Sequence, residues 1–325
     1  MKLRHLLTAA VMAAISMATQ ATAQAEIKFG HVGEPGSLMD LSATEFAKRV
    51  NEKLGDKGKV VVYGSSQLGD DKMMLQKIKL GTIDLALPST IMSSMVPVFG
   101  LFEMPYLVHD RGHMARIRDE IVTPTMAPQA GKAGYNIIGV WENGFRQITN
   151  NRRPIVVPDD LKGIKLRVPS GEWRVKMFQA YGASPSPMAF SEVFVALQTG
   201  VMDGQENPYA QIYPSRFYEV QKYLSKSNHV YTPGYVVAGR SWAKFDPEIQ
   251  QVLSETAVEM QDVVYEIAAG LDTELLQKLI DAGMEVNEVD TAAFVEASKP
   301  IYEEFAKSVE GADELITKAQ ALADQ

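Results

Sequence analysis

The sequence predicts an α/β protein of two domains. Strand-like and helix-like segments alternate over residues 27–87, in an order that favours a parallel sheet with right-handed crossovers. A second alternation of strand and helix begins at residue 164. The 325-residue chain is also long enough to divide into two domains, each with its own core.

The first 25 residues are typical of a secretory signal peptide. Lys2, Arg4 and His5 precede an apolar run over residues 6–17, and the small residues of 21–25 offer a cleavage site. The apolar run is shorter than the roughly 20 residues that a membrane-spanning helix needs. We therefore predict that residues 1–25 are cleaved and that the mature protein is exported.

The composition excludes several classes of function. The chain has 32 basic and 40 acidic residues, and removal of Lys2 and Arg4 leaves 30 against 40, a formal charge of about −10. Nucleic acid is therefore not an expected partner. The absence of cysteine excludes disulfides, a thiol nucleophile and cysteine-ligated metal sites.

The elements of the predicted first domain each have a local cause. The first helix carries an apolar stripe that includes Phe46 and Val50 and ends at Gly55. Acidic residues open the second helix, and Gly81 closes it. Short apolar or β-branched runs form the strands. The order is strand 27–32, helix 37–54, strand 59–63, helix 70–80 and strand 83–87.

The rest of the chain continues the alternation. A helix is expected over 111–130, at least as far as Pro124, followed by a strand over 136–141. The second unit and the chain end then contain strand 164–168 and helices 171–181, 191–199, 291–309 and 312–323.

An unusually long helix is predicted after Asp246. Pro247 suits the first helical position, apolar residues recur as far as Leu279, and Gly283 marks the end. At 1.5 Å per residue this helix would be roughly 50 Å long, enough to span two domains. A break at Gly270 into two ordinary helices is the alternative.

Arg167 is the strongest candidate for a binding residue. Alternating apolar residues in 164–168 place Arg167 opposite the buried face, and Pro169 ends the strand directly after it. Ligands of open α/β sheets bind beyond the carboxyl ends of strands. A guanidinium there matches both oxygens of a carboxylate and stays charged at physiological pH. The sequence therefore predicts a binding protein for an organic acid.

Five sequence blocks carry a family resemblance. They are SSQLGD at 65–70, NGFRQ at 143–147, LKG and LRVP within 161–169, SP and PMAFSE within 184–192, and DGQENP at 203–208. Over essentially its whole mature length the chain resembles the periplasmic substrate-binding components of tripartite ATP-independent periplasmic (TRAP) transporters. This is the DctP-like family, which includes sialic-acid binders.

The resemblance implies a two-domain Venus-flytrap fold with a ligand cleft, two hinge strands and a long helix that spans both domains. The expected lobes are 26–143 plus 233–272 and 144–232 plus 273–325. The resemblance also implies a monomeric periplasmic protein that delivers its ligand to integral-membrane transporter subunits driven by an ion gradient.

The resemblance further assigns roles to individual residues. Arg167 matches the family's carboxylate-binding arginine, and Arg146 matches a second arginine that often assists. Asn207 matches a side chain that helps to fix the carboxylate, Phe190 an aromatic that packs against the ligand, and Asp70 an acid that contacts ligand or cleft water in some members.

Alternatives exist for several of these residues. Arg146 could pair with an acid such as Glu142, and Asn207 could be a turn residue before Pro208. Phe190, Trp141 and Trp173 could all belong to the core, with Phe190 the best ligand candidate of the three. His31 and Glu34 follow the first strand and Ser89 follows the third, so all three are candidate specificity residues, as is Trp173.

The sequence does not favour an enzyme, a cofactor or a metal site. It has no nucleophile elbow, dinucleotide fingerprint, phosphate loop or zinc-protease motif. His109 and His113 share helical spacing, but solvated residues are the better interpretation.

The expected ligand is a hydroxylated sugar acid such as a uronate or aldonate. A small dicarboxylate or hydroxy acid is the alternative, and a subunit that presents its ligand to a membrane sensor would use the same chemistry. The residues at 33–35 and 88–90 depart from those of sialic-acid binders and argue against sialic acid itself.

Overall fold

A computed structural model describes residues 25–323 of the protein. Nearly all of the predicted signal peptide therefore lies outside the described residues. The strands are β1 (Ala25–Gly30), β2 (Gly58–Tyr63), β3 (Leu85–Ala86), β4 (Asn136–Phe145), β5 (Gln147–Asn150), β6 (Lys165–Val168), β7 (Ser184–Pro187), β8 (Gly204–Asn207), β9 (Tyr223–Lys226), β10 (Tyr231–Ala238) and β11 (Glu285–Glu288).

Helices surround these strands and supply most of the remaining core. They are α1 (Leu38–Leu54), α2 (Asp71–Leu80), α3 (Met92–Met95), α4 (Arg111–Ile117), α5 (Ala127–Lys132), α6 (Glu172–Ala180), α7 (Val193–Gln198), α8 (Tyr209–Ile212), α9 (Pro247–Asp281), α10 (Thr291–Ser308) and α11 (Ala312–Ala321). In residues 25–323, no helix combines the length and the apolar character that a bilayer span requires.

The strands form two sheets. The first sheet has the order β2-β1-β3-β10-β4, and the second has the order β11-β9-β5-β8-β6-β7. In the first sheet β1 pairs in parallel with both β2 and β3, as the strand-helix alternation predicts. The two-sheet α/β architecture confirms the predicted fold class.

Two chain segments cross between the sheets side by side. β4 belongs to the first sheet and β5 to the second, with only Arg146 between them. The return crossing runs from β9 to β10, and the Arg146 amide donates to the carbonyl of Val230 at 2.9 Å. Arg146 therefore lies where the two crossings meet. The division into lobes at 143/144 and 232/233 stays a prediction.

Helix caps agree with the sequence signals. The Ser37 hydroxyl accepts from the Asp40 amide at the start of α1, and the Asp70 carboxylate accepts from the Met73 amide at the start of α2, at 2.7 Å. Between α4 and α5 the chain forms a π-helical stretch, Arg118–Met126, that contains Pro124. Proline lacks the amide proton of a regular α-helical turn, so the hydrogen-bond ladder widens instead of ending.

The long helix α9 is continuous. It runs for 35 residues without interruption at Gly270, so the predicted long helix is confirmed and the alternative of two helices is wrong. Its first part packs on α1 and β4 of the first sheet, and it also contacts α8, which follows β8 of the second sheet. α9 therefore joins the two sheets as a third connection beside the two crossing segments.

Gly270 is a site where stability can be raised. A methyl group at this position would meet no other atom within 4 Å, and alanine is about 1 kcal/mol more favourable than glycine inside a helix. We expect Gly270→Ala to raise the free energy of unfolding by about 0.5–1 kcal/mol, measured by urea denaturation. Gly239→Ala is the matched contrast, because its added methyl would lie 2.3 Å from the Ile78 carbonyl oxygen and should destabilise the protein. A loss of stability in Gly270→Ala would show that α9 needs the glycine.

Candidate functional site

A small cavity lies between the two sheets at the carboxyl ends of their strands. Its volume is about 120 Å³. The first sheet and its helices contribute one wall, and the second sheet contributes the other. The lining residues are Val32, Met39, Asp70, Asp71, Lys72, Ser89, Thr90, Ile91 and Asn143 on the first side, and Arg146, Arg167, Pro169, Ser170, Met188, Ala189, Phe190, Asn207 and Gln211 on the second.

A larger groove elsewhere on the protein is less suited to an anionic ligand. It has a volume of about 1040 Å³ and lies between α10, α11 and the loop at 105–109. Its lysines Lys299 and Lys307 are exposed and face Glu296 and Glu303 on the same helix. The small cavity differs because buried cations line it.

Arg167 on β6 is a buried cation without an acidic partner in contact. Its Nε and Nη2 atoms donate to the Met188 carbonyl oxygen at 3.0 and 2.6 Å, and its guanidinium lies 5.8 Å from the centre of the Phe190 ring. No carboxylate of residues 25–323 lies within ion-pair distance of it. Burial, more than any neighbouring charge, lowers the pKa of Arg167 to about 9. The side chain is therefore held in place by a carbonyl group and still requires a counter-ion.

Arg146 takes a different partner from the one considered in the sequence. Its Nε and Nη2 atoms form a forked ion pair with Glu206, and Nη2 also donates to the Glu206 carbonyl oxygen at 2.5 Å. Glu142 instead binds Arg111, with Nη2 and Oε1 2.7 Å apart. Arg146 therefore pairs with an acid, as the alternative interpretation considered, but the acid is Glu206 and not Glu142. Arg146 therefore lines the cavity and is at the same time a member of a buried ion network.

This ion network lies directly behind the cavity wall. Arg174 donates to Glu206 at 2.7 Å and to Glu103 at 2.9 Å, and His229 lies 3.1 Å from Glu206. Arg146 and Arg174 hold the pKa of Glu206 well below its usual range, despite its burial. Burial lowers the pKa of His229 to about 4, so this ring is neutral at physiological pH and donates to the carboxylate.

The second wall of the cavity and the ion network behind it carry a surplus of positive charge. Arg146, Arg167 and Arg174 supply three guanidinium groups, whereas Glu103 and Glu206 supply two carboxylates. Burial raises the pKa of Glu103 to about 7, and its protonation would only increase the positive surplus. An anion in the cavity would remove this surplus.

Asn207 is held in a defined orientation at the end of β8. Its Nδ2 donates to Gln205 at 2.6 Å, and Gln205 in turn donates to Thr149 at 2.9 Å. On the neighbouring helix α8, Gln211 donates to Asn143 at 3.1 Å. These side-chain bonds fix the amides that border the two arginines, so the wall is organised before any ligand arrives.

On the opposite side of the cavity, Asp71 is placed more deeply than the predicted Asp70. The Asp70 carboxylate caps α2, although the residue still borders the cavity. The Oδ1 atom of Asp71 is fully buried and has no hydrogen-bond partner. Burial raises the pKa of Asp71 to about 7, opposed by the charge of Arg167. Sequence reasoning missed Asp71, and its only signal was adjacency to the helix cap.

The segment after β3 contributes two hydroxyl groups. Ser89, a predicted specificity residue, lines the cavity together with Thr90, which the sequence analysis did not select. Both hydroxyl oxygens are buried and without a hydrogen-bond partner. Both residues follow a buried strand, and this position could have identified Thr90 as a candidate in the same way as Ser89.

Three predicted ligand-binding residues lie away from the cavity wall. His31 is fully buried beside Gly64, with its Nε2 3.9 Å from Asp40. The Glu34 carboxylate accepts a hydrogen bond from the Ser65 hydroxyl at 2.8 Å. The Trp173 ring packs edge-on against Phe305 of α10 at 5.1 Å. None of these three side chains lines the cavity, because each contacts another part of the fold, and their role in ligand binding stays a prediction.

Trp141 follows its core interpretation, whereas the expectation that His113 is solvated is wrong. The Trp141 indole is buried and donates to the Ala257 carbonyl at 2.9 Å. His113 is buried, with its Nε2 2.7 Å from the Ala319 carbonyl oxygen, and its ring packs against His109. Within residues 25–323, no group of three or more histidine and acidic side chains could hold a metal ion.

Comparison with known proteins identifies clear relatives. Residues 29–308 match the family described as "Bacterial extracellular solute-binding protein, family 7". A 2,3-diketo-L-gulonate-binding periplasmic protein of Escherichia coli is 32% identical over 321 residues, covering 96% of this chain and 97% of that protein.

Solved structures share the fold over nearly their whole length. A TRAP periplasmic solute-binding protein of Polaromonas bound to D-erythronate has a TM-score of 0.88 and 31% identity, covering 92% of this chain and 99% of that one. A TRAP periplasmic solute-binding protein of Sulfurospirillum deleyianum with bound succinate has a TM-score of 0.87 and 33% identity, with the same coverage. Both similarities extend across the two sheets that enclose the cavity.

Proposed function

Because this chain belongs to family 7 of the bacterial extracellular solute-binding proteins, we propose that it captures an organic acid for a TRAP transporter. The ligand we favour is a hydroxylated sugar acid such as an aldonate or uronate. Its carboxylate would bind Arg167 in the cavity between the sheets, assisted by Arg146 and Asn207, with Phe190 against the ligand body.

One observation carries this proposal. Arg167 is 3% exposed, and both of its fixed hydrogen bonds go to a neutral carbonyl group. A buried cation costs free energy unless an anion pairs with it. A ligand carboxylate would supply this charge and would accept from the guanidinium edge left unused by Met188.

Capture would proceed by closure of the two sheets around the ligand. Arg167, Phe190 and Asn207 lie on the side of the second sheet, and Asp71 and Ser89 lie on the side of the first, so full contact requires both walls. A ligand that binds the closed form more tightly shifts the protein toward it by that difference in affinity. The crossings at Arg146 and between β9 and β10 are the natural hinges.

The relatives support a hydroxylated acid over other ligand classes. The bound D-erythronate of the Polaromonas protein and the 2,3-diketo-L-gulonate of the Escherichia coli protein are oxygen-rich monocarboxylic acids. Succinate in the Sulfurospirillum protein represents the dicarboxylate alternative. The hydroxyl and amide groups of this cavity favour the first class.

The same proposal places the protein in the cell. Residues 1–25 would direct export and be cleaved, and the mature monomer would deliver its ligand to integral-membrane TRAP subunits. The lobes would be 26–143 plus 233–272 and 144–232 plus 273–325. In this proposal the protein binds its ligand for transport, does not catalyse a reaction and does not bind nucleic acid.

A thermal-shift screen tests the proposed ligand class. A ligand at about 100 times its dissociation constant stabilises a protein by about 2.7 kcal/mol. We expect aldonates or uronates to raise the melting temperature of the mature protein, and neutral sugars of equal carbon number to leave it unchanged. Stabilisation by neutral sugars alone, or by no carboxylic acid in a broad panel, would contradict the proposal.

A further inference from the structure

Four buried polar atoms without a hydrogen-bond partner belong to residues that line the cavity. They are Oδ1 of Asp71, Oγ of Ser89, Oγ1 of Thr90 and Oε1 of Gln211. Ser89 and Thr90 are 8% exposed and Gln211 is 2% exposed, so bulk water does not compensate them. Unpaired buried polar atoms are rare in folded proteins, and a concentration of them around one cavity indicates that something else satisfies them.

The chemistry of these atoms limits the ligand. The Gln211 oxygen accepts hydrogen bonds only, and Asp71 does so when ionised, whereas the hydroxyls of Ser89 and Thr90 can donate or accept. A ligand with hydroxyl groups supplies donors for the first two. A dicarboxylate supplies none, and its second carboxylate would lie beside Asp71.

The size of the cavity adds a second limit. Its volume of about 120 Å³ is smaller than a cavity of ~150 Å³ that accommodates one benzene molecule. A compact acid fits this space better than a six-carbon chain. Lys72 borders the same side of the cavity, but it is exposed to solvent. The buried groups on that side are therefore Asp71 and the uncharged hydroxyls of Ser89 and Thr90.

We propose that Asp71, Ser89 and Thr90 form a hydroxyl-reading wall, with Gln211 on the second side of the cavity, that selects a four- or five-carbon polyhydroxy monocarboxylate and excludes dicarboxylates. This inference rests on the proposed function, because it takes the ligand carboxylate to be held by Arg167. Ligand hydroxyls near the carboxylate donate to Asp71 and Gln211 and exchange hydrogen bonds with Ser89 and Thr90. Asp71 rejects a second carboxylate by charge repulsion and by the lack of a donor.

The first test compares ligands of matched size by isothermal titration calorimetry of the mature protein. We expect erythronate to bind at least about 30-fold more tightly than succinate, which has the same number of carbons, and than butyrate, which lacks hydroxyls. Gluconate should bind more weakly than erythronate. Equal affinity for erythronate and succinate would overturn the proposal.

Variants of the wall residues distinguish their contribution to ligand binding from that of Arg167. In Asp71→Asn we expect erythronate affinity to fall about 10-fold and the preference over succinate to shrink by at least the same factor. Ser89→Ala should weaken erythronate binding without affecting butyrate. Ser42→Ala is the matched control, since its hydroxyl in α1 is also buried without a partner but the residue does not line the cavity.

The pH dependence provides an independent readout. The pKa of Asp71 is raised to about 7, so this carboxyl is mostly ionised at pH 8 and mostly protonated at pH 6. A protonated Asp71 donates to a carboxylate, so discrimination against succinate should decline from pH 8 to pH 6. The charged groups facing it are Asp70 and Lys72 on its own helix and Arg146 and Arg167 across the cavity. Asp71→Asn should abolish this dependence.

The outcomes distinguish the two proposals. If acids bind through Arg167 but Asp71→Asn and Ser89→Ala leave the ligand preference unchanged, the hydroxyl-reading wall is wrong and the proposed function stands. If no carboxylic acid binds, both are wrong. Asp71→Asn should retain the wild-type melting temperature without ligand, because it removes a charge that burial disfavours.

Discussion

Replacement of Arg167 by alanine should abolish binding of the organic acid while the protein stays folded. Each charge-assisted hydrogen bond from the guanidinium contributes roughly 1.5–3 kcal/mol, so loss of a paired contact predicts a decrease in affinity of at least about 100-fold. Titration calorimetry with the acid identified by thermal shift measures this. Arg167→Lys should recover only part of the affinity, because an ammonium group cannot match both carboxylate oxygens.

Stability without ligand should change little in Arg167→Ala. The wild-type side chain is a desolvated cation bonded to the Met188 carbonyl, and removal of its charge relieves a cost of burial. Arg152→Ala is the matched control, because Arg152 is exposed in the loop after β5 and does not line the cavity. Full affinity in Arg167→Ala would show that the ligand is bound elsewhere.

Replacement of Glu206 by glutamine should be the most destabilising single change in the ion network. It would leave Arg146 and Arg174 buried with one fewer counter-charge, and loss of one partner of a buried ion pair costs about 3–5 kcal/mol. We expect a decrease in melting temperature of about 5–8 °C. Calorimetry of the ligand-free protein measures it, and affinity for the acid should also fall because Arg146 loses its fixed orientation.

A surface ion pair supplies the control for this experiment. Arg216 and Glu219 are paired, and Arg216 is exposed, so Glu219→Gln should cost less than about 1 kcal/mol. Similar effects of Glu206→Gln and Glu219→Gln would mean that the buried network does not stabilise the wall behind the cavity.

Much of the fold was predictable because its signals are local. The caps at Ser37 and Asp70 and the apolar stripe of α1 depend on residues within one or two helical turns. β3 is shorter than the predicted strand, Leu85–Ala86 rather than 83–87, because only these residues find ladder partners in β1 and β10. The limits of that strand were set by its neighbours.

The site was only partly predictable because its residues meet across the chain. The placement of Arg167 followed from strand alternation and a terminating proline. The partner of Arg146 did not, because the antiparallel register of β5 and β8 sets Ile148 opposite Glu206 and thereby brings the carboxylate to the arginine. The choice of Asp71 over Asp70 for the deeper position likewise depends on how α2 faces the second sheet.

The central position of β10 makes the order of assembly unusual. This strand lies between β3 and β4 in the first sheet, yet every strand of the second sheet except β11 precedes it in the chain. The first sheet therefore remains incomplete until residues 231–238 are available, and a fragment ending before them would expose the unpaired edges of β3 and β4. Contacts so distant in sequence slow folding, which would suit the proposed export of the newly made chain in an unfolded state.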